Sequence, residues 1–104
     1  MIEVARADEL WDGDLVGRRV AGHKVLLVRV EGVVRAYVDR CPHLGVELSQ
    51  GALQGCVLTC HAHQYQYDVR TGQGVNPEGV QLTPLAVRVE DGRVLVELPP
   101  GDGR

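Results

Sequence analysis

The sequence predicts an all-β fold. Short apolar runs of strand length recur along the chain, and pairs such as Glu31-Gly32 and Asp91-Gly92 separate them as two-residue turns. Through the middle, closely spaced glycines (Gly45, Gly51, Gly55, Gly72, Gly74, Gly79) disfavour a long helix and favour tight turns around a compact insertion. A length of 104 residues fits one domain, 1–104, with one modest core and no room for a separate catalytic domain.

Taken in order, Ile2 to Ala5 opens as a short strand, and Ala7-Asp-Glu-Leu-Trp11 can make one helical turn that Asp12-Gly-Asp14 ends. His23 to Val30 alternates weakly around Val25, Leu26 and Val28, then turns at Glu31-Gly32 into Val33 to Val38, which reads as a hairpin. Val57 to Thr59 reads as the strand entering a loop, Gln64 to Val69 as the strand leaving it, and Thr71-Gly72 as the next turn. Near the end, Leu85 to Glu90 and Arg93 to Leu98 flank Asp91-Gly92, a pair suited to a type I′ turn. Val87 and Val89 are expected to pair with Val94 and Val96, leaving Arg88 and Glu90 on a charged opposite face. Pro99 to Arg104 reads as a loose tail.

Eleven basic against fourteen acidic side chains give a net charge of -3, which argues against a broad grip on nucleic acid. No leader-like start or long apolar segment is present, so the expected setting is the cytoplasm, without a membrane anchor. Three cysteines are too few for a disulfide scaffold; Cys56, in an apolar stretch, reads as a small buried hydrophobe. His23, beside Gly22 in a turn, is expected at the surface, and Asp8, Glu9, Asp12 and Asp14 read as a hydrated acidic surface. No Ser-His-Asp arrangement, phosphate-binding glycine loop or dinucleotide fingerprint is recognisable, so a substrate-converting active site is not expected.

The chemistry is concentrated in two short loops, Cys41-Pro-His43 and Cys60-His-Ala-His63, with sixteen residues between His43 and Cys60. Two thiolates and two imidazoles suit an asymmetric two-iron site, with Cys41 and Cys60 on one iron and His43 and His63 on the other. The same four side chains also satisfy a mononuclear zinc ion, although the histidines of a small zinc finger usually sit on a helix and these sit among turns. Both loops are expected at the tips of neighbouring hairpins facing each other.

These four positions, together with the Leu48-Ser-x-Gly51 turn, the Tyr67-Asp68 pair and Thr71-Gly72, resemble the Rieske ferredoxins over nearly the whole chain. The resemblance implies three antiparallel sheets, with a small cluster-binding subdomain of approximately 39–72 projecting from a larger base. It implies one 2Fe-2S cluster held by Cys41, His43, Cys60 and His63, with His61 at a variable, solvent-facing position. Such a centre is formally neutral when oxidised and singly negative when reduced, at roughly -150 mV or above. Around it, Leu44 is expected to exclude water and Gly45 to permit close backbone approach. Tyr67 falls where high-potential respiratory relatives place a tyrosine whose hydroxyl reaches a ligand sulfur, and Tyr65 where they place a serine. Their loop disulfide has no counterpart, because Val46 and Ala62 occupy its two positions.

The resemblance further implies a monomeric electron carrier between an NADH-dependent flavin reductase and a terminal oxygenase. Thr71-Gly-Gln-Gly-Val-Asn-Pro77 resembles the ferredoxin components of toluene-type di-iron monooxygenases; the ferredoxin of a Rieske aromatic dioxygenase and a small nitrite-reductase-type subunit are the neighbouring readings.

Overall fold

A computed structural model describes residues 1–40, 46–61, 64–76 and 78–98. Among these described residues eleven strands run in order: β1 (Ile2–Arg6), β2 (Leu15–Val20), β3 (His23–Val30), β4 (Val33–Val38), β5 (Ala52–Gln54), β6 (Val57–Thr59), β7 (Gln66–Asp68), β8 (Gly74–Asn76), β9 (Pro84–Leu85), β10 (Val87–Glu90) and β11 (Arg93–Val96). They form three antiparallel sheets, ordered β1-β11-β10, β2-β3-β4-β9 and β5-β6-β7-β8. The expected all-β, three-sheet architecture is therefore observed, with single 3-10 turns at Ala7–Glu9 and Leu48–Gln50.

The β2-β3-β4-β9 sheet is covered on both faces, which explains the weak alternation of β3. Leu26, Val28 and Val30 pack with Tyr37, Leu48, Leu58, Cys60, Tyr67, Val69 and Leu82 in one buried group. Val25 and Leu27 pack with Val4, Ala5, Leu10, Ala36, Val94 and Val96 in another. A strand that feeds two cores needs apolar residues at successive positions, so its period-2 signal is lost.

Two hairpins match the sequence closely. Asp91 and Gly92 have φ of 52° and 74°, the paired left-handed conformation of a type I′ turn, and Val87 faces Val96 while Val89 faces Val94. Glu31 and Gly32 repeat this geometry between β3 and β4. The predicted strand Leu85 to Glu90 divides, because Leu85 pairs with Ala36 of the central sheet whereas Val87 begins the pairing with β11.

One expectation is corrected and another extended. His23 is buried rather than surface-placed, since Ala21-Gly22 is the turn and His23 already pairs with Val20 as the first residue of β3. The strand before it, β2, carries Gly17, Arg18 and Arg19 in its middle and so lacks an apolar signature. The acidic residues expected to be merely hydrated also have local work: Asp12 accepts bonds from Arg29 Nε (3.0 Å) and Gly32 N (2.9 Å), Asp14 from Trp11 N (2.9 Å), and Glu9 from Arg6 N (3.0 Å).

Candidate metal centre

Strands β6 and β7 carry the second candidate ligand loop as a hairpin, with Leu58 opposite Tyr67 and Thr59 opposite Gln66. Cys60 N–H donates to Tyr65 O at 2.7 Å and closes the loop, with Gln64 in the left-handed region at φ 56°. Cys60 is fully buried, against Leu48, Leu58 and Tyr67. A thiol in so dry and apolar a setting is a soft donor shielded from water, which fits a thiolate-bound iron and protects it.

Tyr67 is fully buried in the same core group as Cys60, and Tyr65 packs against that group, partly buried. His61 is exposed, as expected of a solvent-facing residue. Cys56, only partly buried, packs against the same core. Cys41, His43, Leu44, Gly45, Ala62 and His63 lie outside the described residues, as does Pro77. Among the described residues no group of three or more His, Cys, Asp or Glu side chains gathers that could hold a metal ion elsewhere.

The strands on either side of the first ligand loop do not pair with each other: β4 pairs with β3 and β9, while β5 pairs with β6, so the connection between them leads from the central sheet to the third. The loop itself, and the expectation that it forms a hairpin tip, lie outside the described residues. Its stems are fastened by Asp39, which accepts bonds from Ser49 N at 2.8 Å and Ser49 Oγ at 2.7 Å. Val46, within the crossover, packs partly buried against the core.

The strand leaving the second loop is anchored to the central sheet through Tyr37, whose hydroxyl donates to Val69 O at 2.6 Å. Burial of the phenol pushes its pKa up, with Asp68 adding to the rise and Arg35 opposing it. Gly72, at φ 82°, abuts the same ring; a Cβ there would lie 3.0 Å from Tyr37 Cε1. Asp68 builds the turn between β7 and β8: Arg70 N donates to its Oδ1 at 2.9 Å, and the Arg70 guanidinium grips both carboxylate oxygens at 3.1 and 2.9 Å. The Arg70 hydrogen bonds hold the Asp68 carboxyl below the usual carboxylate range against its partial desolvation. Sequence reasoning missed Asp39 and Tyr37; a polar residue ending an apolar strand just before a ligand loop was the available signal for Asp39.

Three antiparallel sheets, the last presenting a buried thiol at a hairpin tip, define a small metal-binding β domain. The chain belongs to the Rieske 2Fe-2S domain family, whose model matches residues 1–91. It is accordingly a carrier of one 2Fe-2S cluster, and the two relatives that follow are both named as ferredoxin components. It is 44% identical over 100 residues to the ferredoxin component of the alkene monooxygenase system of Xanthobacter autotrophicus, covering 95% of this chain and 82% of the relative. It is 33% identical over 98 residues to the ferredoxin component of the naphthalene 1,2-dioxygenase/salicylate 5-hydroxylase systems of Ralstonia sp., covering 93% and 94%. Among solved structures, the ferredoxin of carbazole 1,9a-dioxygenase from Nocardioides aromaticivorans IC177 superposes with a TM-score of 0.81 at 28% identity, covering 91% of this chain and 94% of that one. A chain in a complex of reduced oxygenase and oxidized ferredoxin of carbazole 1,9a-dioxygenase gives a TM-score of 0.81 at 31% identity, covering 91% and 90%. Family membership sets the zinc reading aside. Among the described residues no helix is long and apolar enough to cross a membrane.

Proposed function

We propose that this chain passes single electrons from an NADH-dependent flavin reductase to the terminal oxygenase of a di-iron monooxygenase system. The observation that carries the choice of system is the 44% identity to an alkene monooxygenase ferredoxin component, against 33% for the naphthalene dioxygenase relative. The Gly74-x-Asn76-Pro77 segment, which resembles toluene-type monooxygenase ferredoxins, points the same way.

In this reading, one domain spans 1–104 and the region of approximately 39–72 binds the cluster. Cys41 and Cys60 would hold one iron, and His43 and His63 the other. When bound, the group supplies a one-electron couple whose mixed ligation raises its potential above that of a four-cysteine cluster. Leu44, Gly45 and Tyr65 shape and cover the site, and Tyr67 supplies a hydroxyl to a ligand sulfur. The carrier works as a cytoplasmic monomer through brief encounters, for which a small interface suffices.

The test combines the reduced holoprotein with purified terminal oxygenases of both kinds. Product formation driven by NADH and a flavin reductase is expected with the alkene or toluene monooxygenase hydroxylase. Turnover with an aromatic dioxygenase alone would overturn the choice of system, and failure with every oxygenase would overturn the carrier role.

A further inference from the structure

We propose that Asp39, Ser49 and Gly17 form a latch that positions the first ligand loop for cluster binding; the inference rests on Cys41 and His43 being ligands. Asp39 precedes Cys41 by two residues, and Ser49 follows the loop on the turn Leu48–Gln50. Asp39 is a buried residue, at 3% exposure, and both of its carboxylate oxygens are used on one residue: Oδ1 accepts Ser49 N–H at 2.8 Å and Oδ2 accepts Ser49 Oγ–H at 2.7 Å. Asp39 N–H donates to Lys24 O at 2.9 Å, so the latch is itself bolted to β3. A two-point tie across the base of a loop removes most of the relative motion of its ends, which otherwise carries a closure entropy. Metal ligands need such support, because a displacement of about 0.5 Å already degrades a site.

Gly17, on the neighbouring strand β2, makes the space for this pair. A Cβ at position 17 would fall 2.6 Å from Ser49 Oγ and 2.8 Å from Asp39 Oδ2. Both distances are shorter than real side-chain contacts, so a methyl group there must push the latch apart. Gly17 has no left-handed φ to defend, which leaves this approach as the reason for glycine. The far side of the latch continues directly to the second ligand loop: a Cβ on Gly51 would collide with Thr59 O, and Ala52 pairs with Thr59 immediately before Cys60. One short segment therefore sets the spacing between both ligand stems. These are positioning residues, since none is proposed to touch iron.

The test uses reduced and oxidised holoprotein carrying Asp39→Ala, Ser49→Ala, Gly17→Ala or Asp39→Asn. Bleaching of visible absorption under an iron chelator and the EPR line of the reduced cluster are read together with thermal unfolding. Ser49→Ala, Gly17→Ala and Asp39→Ala are expected to bleach about tenfold faster, the factor for losing a charge-assisted hydrogen bond, with an altered EPR line. Asp39→Asn is expected to stay close to the parent, because its amide oxygen accepts Ser49 N–H while its amide nitrogen donates to Ser49 Oγ. Parent-like bleaching and EPR in Ser49→Ala and Gly17→Ala, with only the unfolding temperature lowered, would overturn the latch. So would Asp39→Asn bleaching as fast as Asp39→Ala. If Asp39→Ala does not fold, the two milder variants decide. An unchanged spectrum in Cys41→Ser would instead overturn the ligand assignment, and with it this role.

Discussion

At the scale of the residue, two buried tyrosines separate stability from redox tuning. Tyr37 and Tyr67 belong to one core, but Tyr37 spends its hydroxyl on the Val69 carbonyl at 2.6 Å, whereas Tyr67 lies on β7, in the hairpin that carries the candidate ligand Cys60. Tyr37→Phe leaves that carbonyl without its partner and should cost about 1–3 kcal/mol in denaturant unfolding, while leaving the reduction potential in place. Tyr67→Phe should do the reverse in kind: hydrogen bonds to sulfur favour the reduced, more negative cluster, so removing one lowers the potential measured by spectroelectrochemistry. An unchanged potential would exclude a sulfur bond from Tyr67. Alkaline titration gives Tyr37 a second signature. Its folded pKa is raised, chiefly by burial, so the unfolded chain ionises first, near pH 10. The associated stability is complete below that pH and is lost as pH climbs through it toward the folded value. Tyr37→Phe should flatten this alkaline loss, and an equally steep loss in the variant would assign it to another group.

Elements differ in how openly the sequence announces them. The hairpins at Glu31-Gly32 and Asp91-Gly92 were legible because the turn chemistry is local: adjacent left-handed residues demand such pairs, whatever the rest of the chain does. β2 was not, since its middle is Gly17-Arg18-Arg19 and its apolar residues, Leu15, Val16 and Val20, stand only at its two ends. His23 was misplaced for the same reason, because Gly22 ends a turn whose incoming strand had gone unseen. The strands flanking the second ligand loop, β6 and β7, pair with each other, as their β-rich residues implied, whereas those flanking the first, β4 and β5, belong to different sheets. Nothing local distinguishes the two; the difference lies in which strands β4 and β5 choose as partners, a long-range matter. The ligand types and spacing were legible because chemistry restricts which side chains bind iron, whereas the Asp39–Ser49 support depends on two stems meeting in space.

For the whole molecule, the division of the core governs what iron removal should do. One buried group joins the central sheet to the cluster side and contains Cys60; the other joins the central sheet to β1, β10 and β11 and contains none of the described residues of 46–76. A bound cluster stabilises the fold against every opening that breaks its ligand set, and the smallest such openings lie on the cluster side, so removing it takes binding free energy from that side first. The strands of that side are only three residues long. The base keeps the eight-residue β3, whose Val25 and Leu27 remain packed on Val94 and Val96. Hydrogen exchange on chelator-treated protein should therefore show lost protection at the amides of Leu58, Tyr67 and Val69, with protection retained at Val25 and Leu27. Uniform loss across both groups would mean that the two cores unfold as one unit and that the cluster supports the entire fold, because β3, shared by both, would then transmit the loss from one face to the other.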